Sequence, residues 1–464
     1  MRYLLRSALL LVALAGGWRG AAAAGPDLMD MVPIFEERFA DGLNRHNGQR
    51  GLWSTLPRRG QLMTNAAEAV FLDRGVLPPE ADVLMPELHE VTTGGLSLRS
   101  AALPDAVLPA VRARMEATGQ GGRAEAIRYA TAQITTAATW AQVYGYFEIR
   151  ARIPRGKGRW PAFWMTFAGR GWPPEIDVFE AYGTGINAPT PKDGLFKTAV
   201  IFDAFDAEGV RSHSVDITNP YDPDGPDAET KTRGDRQIHI FGQEHRGPAL
   251  EADIYSTLHT YAVLWGPEEI VFYFGTDRAS LREIYRAPTP DDVHDPMYLI
   301  ANDQFTARGG WWSPRPSALE EVLAPGNDFL IESITVMAPR PALLLDMRAG
   351  DIPSNPRSSV VLDTLGDDVI APGTGFDLIE LSGGVDEIRV RRGREGTVVS
   401  GFGPDDSLDL RGFSIATPAE ALARLTQVGP DVWLSATATP FWPQSVIFRD
   451  RQVTDFSEAQ FTLR

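Results

Sequence analysis

Between Phe35 and about Met337 apolar and polar positions alternate in short runs that Gly, Pro and Asp interrupt. Alternation with a period of two is the mark of a strand with one covered face. The clearest case is YGYFEIRARI, Tyr144–Ile153. Phe147, Ile149, Ala151 and Ile153 fall on one side of it, and Tyr146, Glu148, Arg150 and Arg152 on the other. RWPAFWM follows, with Pro161, Phe163 and Met165 on one side and Trp160, Ala162 and Trp164 on the opposite one. His259–Trp265, Glu269–Phe274 and Phe329–Met337 also read as strands. Many antiparallel strands without intervening helices predict an all-β sandwich.

Two stretches depart from this pattern. From Gly183 to Leu258 turn residues dominate. Asn219–Asp235 within it is expected to be a loop, either solvated or ordered as the wall of a binding groove. Near Pro339 the composition shifts again, and residues 341–365 read as a linker between a domain of residues 25–340 and a second of residues 366–464. In the second, Asp368, Asp377 and Asp386 are spaced nine apart, as are Gly366, Gly375, Gly384 and Gly393, and Ile370, Ile379 and Ile388. That step resembles the nonapeptide of calcium-binding parallel β-rolls, with Pro372, Leu381 and Ser382 where glycine is usual. In such a roll Asp368 and Asp386 should stack, Asp377 should face the other way, and the isoleucines should point inward. Thr417–Gly429 reads as one helix, with Thr417 as N-cap, Pro418 at the first position, Glu420 closing a capping box and Gly429 ending it.

Composition narrows the function. The chain has 464 residues, 43% of them hydrophobic, and no cysteine, so disulfides, thiolate metal sites and cysteine nucleophiles are excluded. Its 44 glycines and 35 prolines fit many short strands joined by turns. A net charge of −17 argues against nucleic acid, which needs a basic footprint. Residues 1–24 read as a signal peptide: Arg2 and Arg6, the apolar run Ala8–Ala15, then Ala21–Ala24 as cleavage site. The run is too short to span a bilayer, so a secreted or periplasmic bacterial protein, free of the membrane after cleavage, is expected; the alternative is an uncleaved anchor, for which Arg19 after the run speaks.

The chemistry concentrates in PPEIDVFEAYG, Pro173–Gly183, where Glu175, Asp177 and Glu180 lie within six positions. On a regular strand Glu175 and Asp177 share a face and Glu180 has the opposite parity. A one-residue bulge near Val178–Phe179 would bring Glu180 round, and bulges recur beside active sites. Hydrolysis of a glycoside with retention needs two carboxyl groups about 5–5.5 Å apart, one nucleophilic and one protonated. A third carboxylate between them would separate their proton affinities. Trp160 and Trp164, sharing a face, and Trp172 just before the acids supply flat rings on which a sugar can stack.

E-x-D-x-x-E, preceded by YGYFEIRARIPRGKGRWPAFWM, resembles glycoside hydrolase family sixteen, which includes laminarinases, lichenases, agarases, carrageenases and bacterial exopolysaccharide glycanases. The likeness continues through Tyr129–Thr136, Leu258–Trp265 and Pro296–Asp303 and ends near Met337, covering roughly residues 33–338. It implies a concanavalin-like β-jelly-roll sandwich with an open groove. It also implies a retaining endo-β-glycanase acting by double displacement on β-1,3 or mixed β-1,3/1,4 linkages of a glucan or bacterial exopolysaccharide. By motif position Glu175 is similar to the nucleophile, Glu180 to the acid/base and Asp177 to the assisting carboxylate. Glu148, Arg150, Trp160, Trp164, Trp172 and Asn302 match groove positions. A polysaccharide partner, a monomer and no catalytic cofactor are implied.

Two departures stand out. Relatives with this motif often place a histidine on the next strand, where Phe196–Asp203 has none and His213 is the nearest substitute. Asn302–Gly310 replaces the usual N-L-A-V-G-G, so one groove wall should be altered. The C-terminal part is similar to a truncated repeats-in-toxin module. That implies structural calcium held by Asp368, Asp377 and Asp386 with backbone carbonyls, hard oxygen ligands that suit this ion; otherwise the roll would rest on its isoleucines alone. Two other functions compete with hydrolysis: transglycosylation, and a non-catalytic carbohydrate-binding or matrix role. The last has no need of all three carboxylates.

Overall fold

The alternation in the sequence becomes two antiparallel sheets packed face to face. The computed structural model describes residues 25–63, 68–182, 195–204, 219–221, 229–233, 236–246, 253–309, 315–316, 319–347, 357–436 and 441–463. The signal-peptide stretch and His213 lie outside them. An eight-stranded sheet runs Arg282–Pro288, Glu269–Gly275, His259–Trp265, Gly145–Arg152, Phe329–Pro339, Gly95–Leu98, His89–Thr92, with Met31–Glu37 also paired to Phe329–Pro339. A seven-stranded sheet runs Glu229–Arg233, Arg236–Arg246, Leu195–Phe202, Glu175–Ala181, Arg159–Phe167, Met297–Phe305, Gln133–Thr135. Phe147, Ile149 and Ala151 from the first sheet and Phe163, Met165 and Ile176 from the second meet in one core and are at most 2% exposed. The sandwich is a β-jelly roll, as expected.

Asn219–Asp235 differs from the loop expected. Glu229–Arg233 is a strand that pairs antiparallel with Arg236–Arg246 and forms the edge of the seven-stranded sheet. The partner supplies the apolar residues that this segment lacks: Ile238, Ile240 and Phe241 are buried. Backbone pairing to a committed neighbour therefore outweighs turn-rich composition.

The C-terminal part is a two-sided roll. Parallel strands Leu343–Asp346, Ser359–Leu362, Asp377–Glu380, Thr397–Ser400 and Ser445–Phe448 form one side, extended antiparallel by Asp431–Ser435 and Leu425–Val428. Val369–Ile370, Glu387–Arg389, Ser407–Asp409 and Phe461–Thr462 form the other. Ile370, Ile379 and Ile388 are at most 2% exposed and face the interior, as the nine-residue step predicts.

Two expectations need correction. Residues 341–365 are not a plain linker, because Leu343–Asp346 and Ser359–Leu362 are the first strands of the roll. Nor is the roll a detached module: Phe376, Leu378, Val398, Trp433 and Ile447 belong to the same apolar cluster as the sandwich core. Trp140 of the sandwich lies 5.5 Å from Trp433 and 6.2 Å from Phe376, ring centre to ring centre. Ser445 Oγ donates to the Thr139 carbonyl at 2.6 Å. The helix at Thr417 is capped as expected, the Thr417 side chain accepting from Glu420 N, but it spans only Pro418–Ala423. Leu425–Val428 then turns through Gly429, at φ +58°, into a hairpin with Asp431–Ser435. Burying Leu425 and Val428 in a sheet outweighs the helical propensity of the run.

Candidate active site

The apolar pattern of Glu175–Ala181 decides where its acids point. Ile176, Val178, Phe179 and Ala181 are all buried at 2% exposure or less. Two successive core residues, Val178 and Phe179, cannot both face inward on a regular strand. The register supplies the slack: against Arg159–Phe167, Asp177 pairs with Trp164 and Glu180 with Ala162, so three steps on one strand match two on the other. The shift recurs against Leu195–Phe202, between Asp177 and Glu180. This is a β-bulge at the expected position. Phe179 pins it in the core, its ring 4.5 Å from Tyr261 and 5.9 Å from Phe329. Glu175, Asp177 and Glu180 consequently share the face turned away from the core.

Each glutamate is held by an indole. Trp160 Nε1 donates to Glu180 Oε1 at 3.0 Å, and the Tyr182 hydroxyl donates to Glu180 Oε2 at 2.9 Å. Trp172 Nε1 donates to Glu175 Oε2 at 2.8 Å. Trp164 Nε1 donates to Asn302 Oδ1 at 2.6 Å on the next strand. The strand bearing both tryptophans is fixed from below by the fully buried Arg159–Asp303 ion pair. Asp303 also accepts from Trp160 N at 3.3 Å and Ser100 Oγ at 3.1 Å.

Asp177 lies between the two glutamates, 2% exposed, and its Oδ2 has no hydrogen-bond partner among the described residues. Burial, then the charges of Glu180 and Glu175, hold its carboxyl well above the usual range, against the pull of Lys197. Burial also raises Glu180; the Tyr182 hydrogen bond, the Lys197 charge and the Trp160 hydrogen bond pull it back. Tyr182, raised by burial and by Glu180, stays a proton donor. The site thus keeps protons on two of its carboxyls above the ordinary range. It holds the third, Glu175, against an indole N–H, a division suited to one acid and one nucleophile.

Trp160, Trp164, Trp172 and Asn302 accompany the acids, as expected. Glu148 and Arg150 do not. They belong to Gly145–Arg152 in the eight-stranded sheet, on its outer face, with the core between them and the acids. There Glu148 accepts from Tyr146 at 2.5 Å and from both nitrogens of an Arg278 fork at 2.6 and 2.8 Å, while Arg150 pairs with Glu332 at 2.5 Å. These contacts are structural. Three neighbours were not foreseen. Tyr182 follows Glu180 by two and so shares its face. Lys197 sits opposite Glu180 on the adjacent strand, and Tyr298 opposite Thr166, itself opposite Glu175.

The roll aspartates divide by side. Asp386 Oδ1 accepts from Asp368 N at 2.9 Å, so these two stack, while Asp377 faces the other sheet and accepts from Ser359 N and Oγ at 2.9 and 2.6 Å. Asp377 therefore drops out of the expected ligand set. Asp363 takes its place: oxygen atoms of Asp363, Asp368 and Asp386 all lie within 4.8 Å of one another. One oxygen of each is engaged by a backbone N–H, and the second oxygen of Asp363 is buried without a partner among the described residues. Burial, then the like charges of Asp406, Asp363 and Asp368, raises Asp386. Converging carboxylate oxygens of this kind fit a hard divalent cation.

Residues 111–200 match the sequence profile described as Glycosyl hydrolases family 16. The chain is 29% identical over 308 residues to the endo-1,3-1,4-beta-glycanase ExsH of Rhizobium meliloti (strain 1021), covering 65% of this chain and 51% of that protein. It is 28% identical over 293 residues to EglC of the same organism, which bears the same description, covering 62% and 49%. The chain thus spans about half the length of these curated relatives. Among solved structures it is similar to the laminarinase catalytic domain of Thermotoga maritima MSB8, at 18% identity and a TM-score of 0.40, covering 66% of this chain and 98% of that one. The residues matched by the family 16 profile contain the tryptophan strand and the bulged acid strand.

Proposed function

We propose that the chain is a retaining endo-β-glycanase that hydrolyses β-1,3 or mixed β-1,3/1,4 linkages in a glucan or bacterial exopolysaccharide. The observation that carries this reading is the bulge at Val178–Phe179, which sets Glu175, Asp177 and Glu180 on one tryptophan-lined face. Glu175 attacks the anomeric carbon while Glu180 protonates the departing oxygen, giving a glycosyl–enzyme ester. Glu180, now a carboxylate, takes a proton from water, which attacks the same carbon and releases Glu175. Burial and the charges of Glu180 and Glu175 raise the proton affinity of Asp177, which suits it to share a hydrogen bond with a neighbouring carboxylate. The similarity to ExsH and EglC, both endo-1,3-1,4-beta-glycanases, supports the linkage class. Digestion of laminarin, mixed-linkage glucan, agar and a bacterial exopolysaccharide is expected to release reducing ends from at least one of the β-1,3-containing polymers, with an early fall in viscosity. If none of the four is cut, the glycanase reading fails.

We also propose that Asp363, Asp368 and Asp386 hold a calcium ion that stabilises the roll. A ligand bound only by the folded state raises stability by mass action. Calcium is therefore expected to raise the thermal midpoint of the full chain and chelator to lower it, with the response lost in the double variant Asp363→Asn/Asp386→Asn. Identical melting in chelator and in millimolar calcium would remove the metal.

A further inference from the structure

Beside the acids, on the side toward strand Gln133–Thr135, the open face of the sandwich sinks into a cavity of about 250 Å³. Trp164, Tyr298 and Asn302 form its floor, and Arg58 and Arg59 stand on its wall. Phe441, which belongs in sequence to the roll, also lines it. The roll thus reaches over the sandwich to the edge of the acid-bearing face.

That reach is fixed by contacts. Trp442 N donates to the Ala168 carbonyl at 3.4 Å, and its ring packs 5.3 Å from Phe167. The Arg394 guanidinium lies 4.2 Å over the same ring. Trp442 adopts φ +54° and Arg59 φ +71°, a left-handed conformation that bulky side chains rarely accept. The junction is held in place rather than draped.

The charge at this spot is unlike that of the chain. In a protein of net charge −17, the guanidinium carbons of Arg58, Arg59 and Arg170 crowd one ring, 4.8, 4.7 and 5.1 Å from the centre of Phe441. No aspartate or glutamate is among the described residues that line the cavity. Arg58 Nη1 donates to the Ala168 carbonyl at 2.6 Å, and a planar carboxylate matches the guanidinium fork of the exposed Arg59 in this positive surrounding. The Trp164 indole in the cavity can stack a sugar and the Arg59 fork, held over Phe441, can grip a carboxylate, and together they define one ligand.

We infer that Phe441 and the Arg58–Arg59–Arg170 cluster form a substrate subsite, built jointly by sandwich and roll, that takes a sugar unit bearing a carboxylate substituent. It rests on the glycanase reading for its place in the reaction, and adds a preference for an acidic polymer and a binding role for the roll.

The test uses the full chain, with mixed-linkage β-glucan and its lightly carboxymethylated derivative as probes. The wild type should show at least a fivefold higher kcat/KM on the carboxymethylated polymer. Arg59→Gln should lose at least five times more on that polymer than on the unmodified one, and Phe441→Ala should raise KM at least fivefold on both. Equal losses on the two polymers in Arg59→Gln, or an unchanged KM in Phe441→Ala, overturn the subsite. Should the wild type cut neither polymer, the glycanase reading fails by itself. Retardation in gels containing each polymer then decides the subsite: selective slowing of the wild type by the carboxymethylated polymer supports it, and equal mobility of wild type and Arg59→Gln overturns it.

Discussion

Glu175→Gln is expected to lower kcat on β-glucan by on the order of 10⁴-fold or more, the scale seen when a covalent catalyst loses its nucleophile. Affinity for the polymer should stay near that of the wild type. The amide oxygen can still accept from Trp172 Nε1, and the stacking faces of Trp160 and Trp164 are not touched. Only the atom that forms the ester is lost, so the damage falls on kcat and spares binding. Turnover within tenfold of the wild type would mean that Glu175 is not the nucleophile.

Glu180→Gln is expected to cost about 10²–10⁴-fold on the polysaccharide, the usual worth of a positioned proton donor. An aryl glycoside with an activated leaving group needs little protonation, so its kcat/KM should stay close to the wild-type value. The pH profile carries the sign. Glu180 must be protonated for the first step, and burial raises its proton affinity above that of an ordinary glutamate. In the wild type kcat/KM should therefore hold as pH climbs past the ordinary carboxyl range and fall only through the raised value. In Glu180→Gln that limb should vanish. An unchanged alkaline limb in the variant would assign the titration, and the acid role, to another group.

Much of this site was legible in the chain because it depends on local parity. The successive apolar residues Val178 and Phe179 announce the bulge, and the bulge aligns three acids that a regular strand would separate. The same parity carries Tyr182 to Glu180, a consequence that could have been drawn from the sequence. Glu148 and Arg150 were expected in the groove from the family resemblance, and parity could not correct this because it does not say which of two sheets an outward face belongs to. Lys197, Tyr298 and Phe441 depend on register or packing between distant segments, which no local pattern encodes. The roll shows the same division. A nine-residue step fixed the sides of Asp368, Asp377 and Asp386, whereas Asp363 was hidden in a stretch whose composition resembles a linker.

On the proposed mechanism Glu175 and Glu180 act in two successive displacements, each inverting the anomeric carbon. Proton NMR of a mixed-linkage glucan digest, recorded in the first minutes before mutarotation, reads the configuration of the fresh reducing end. The β-anomer is expected first, with the α-anomer growing in later. An α-anomer present from the start would require a single inverting displacement and would contradict the assignment of Glu175.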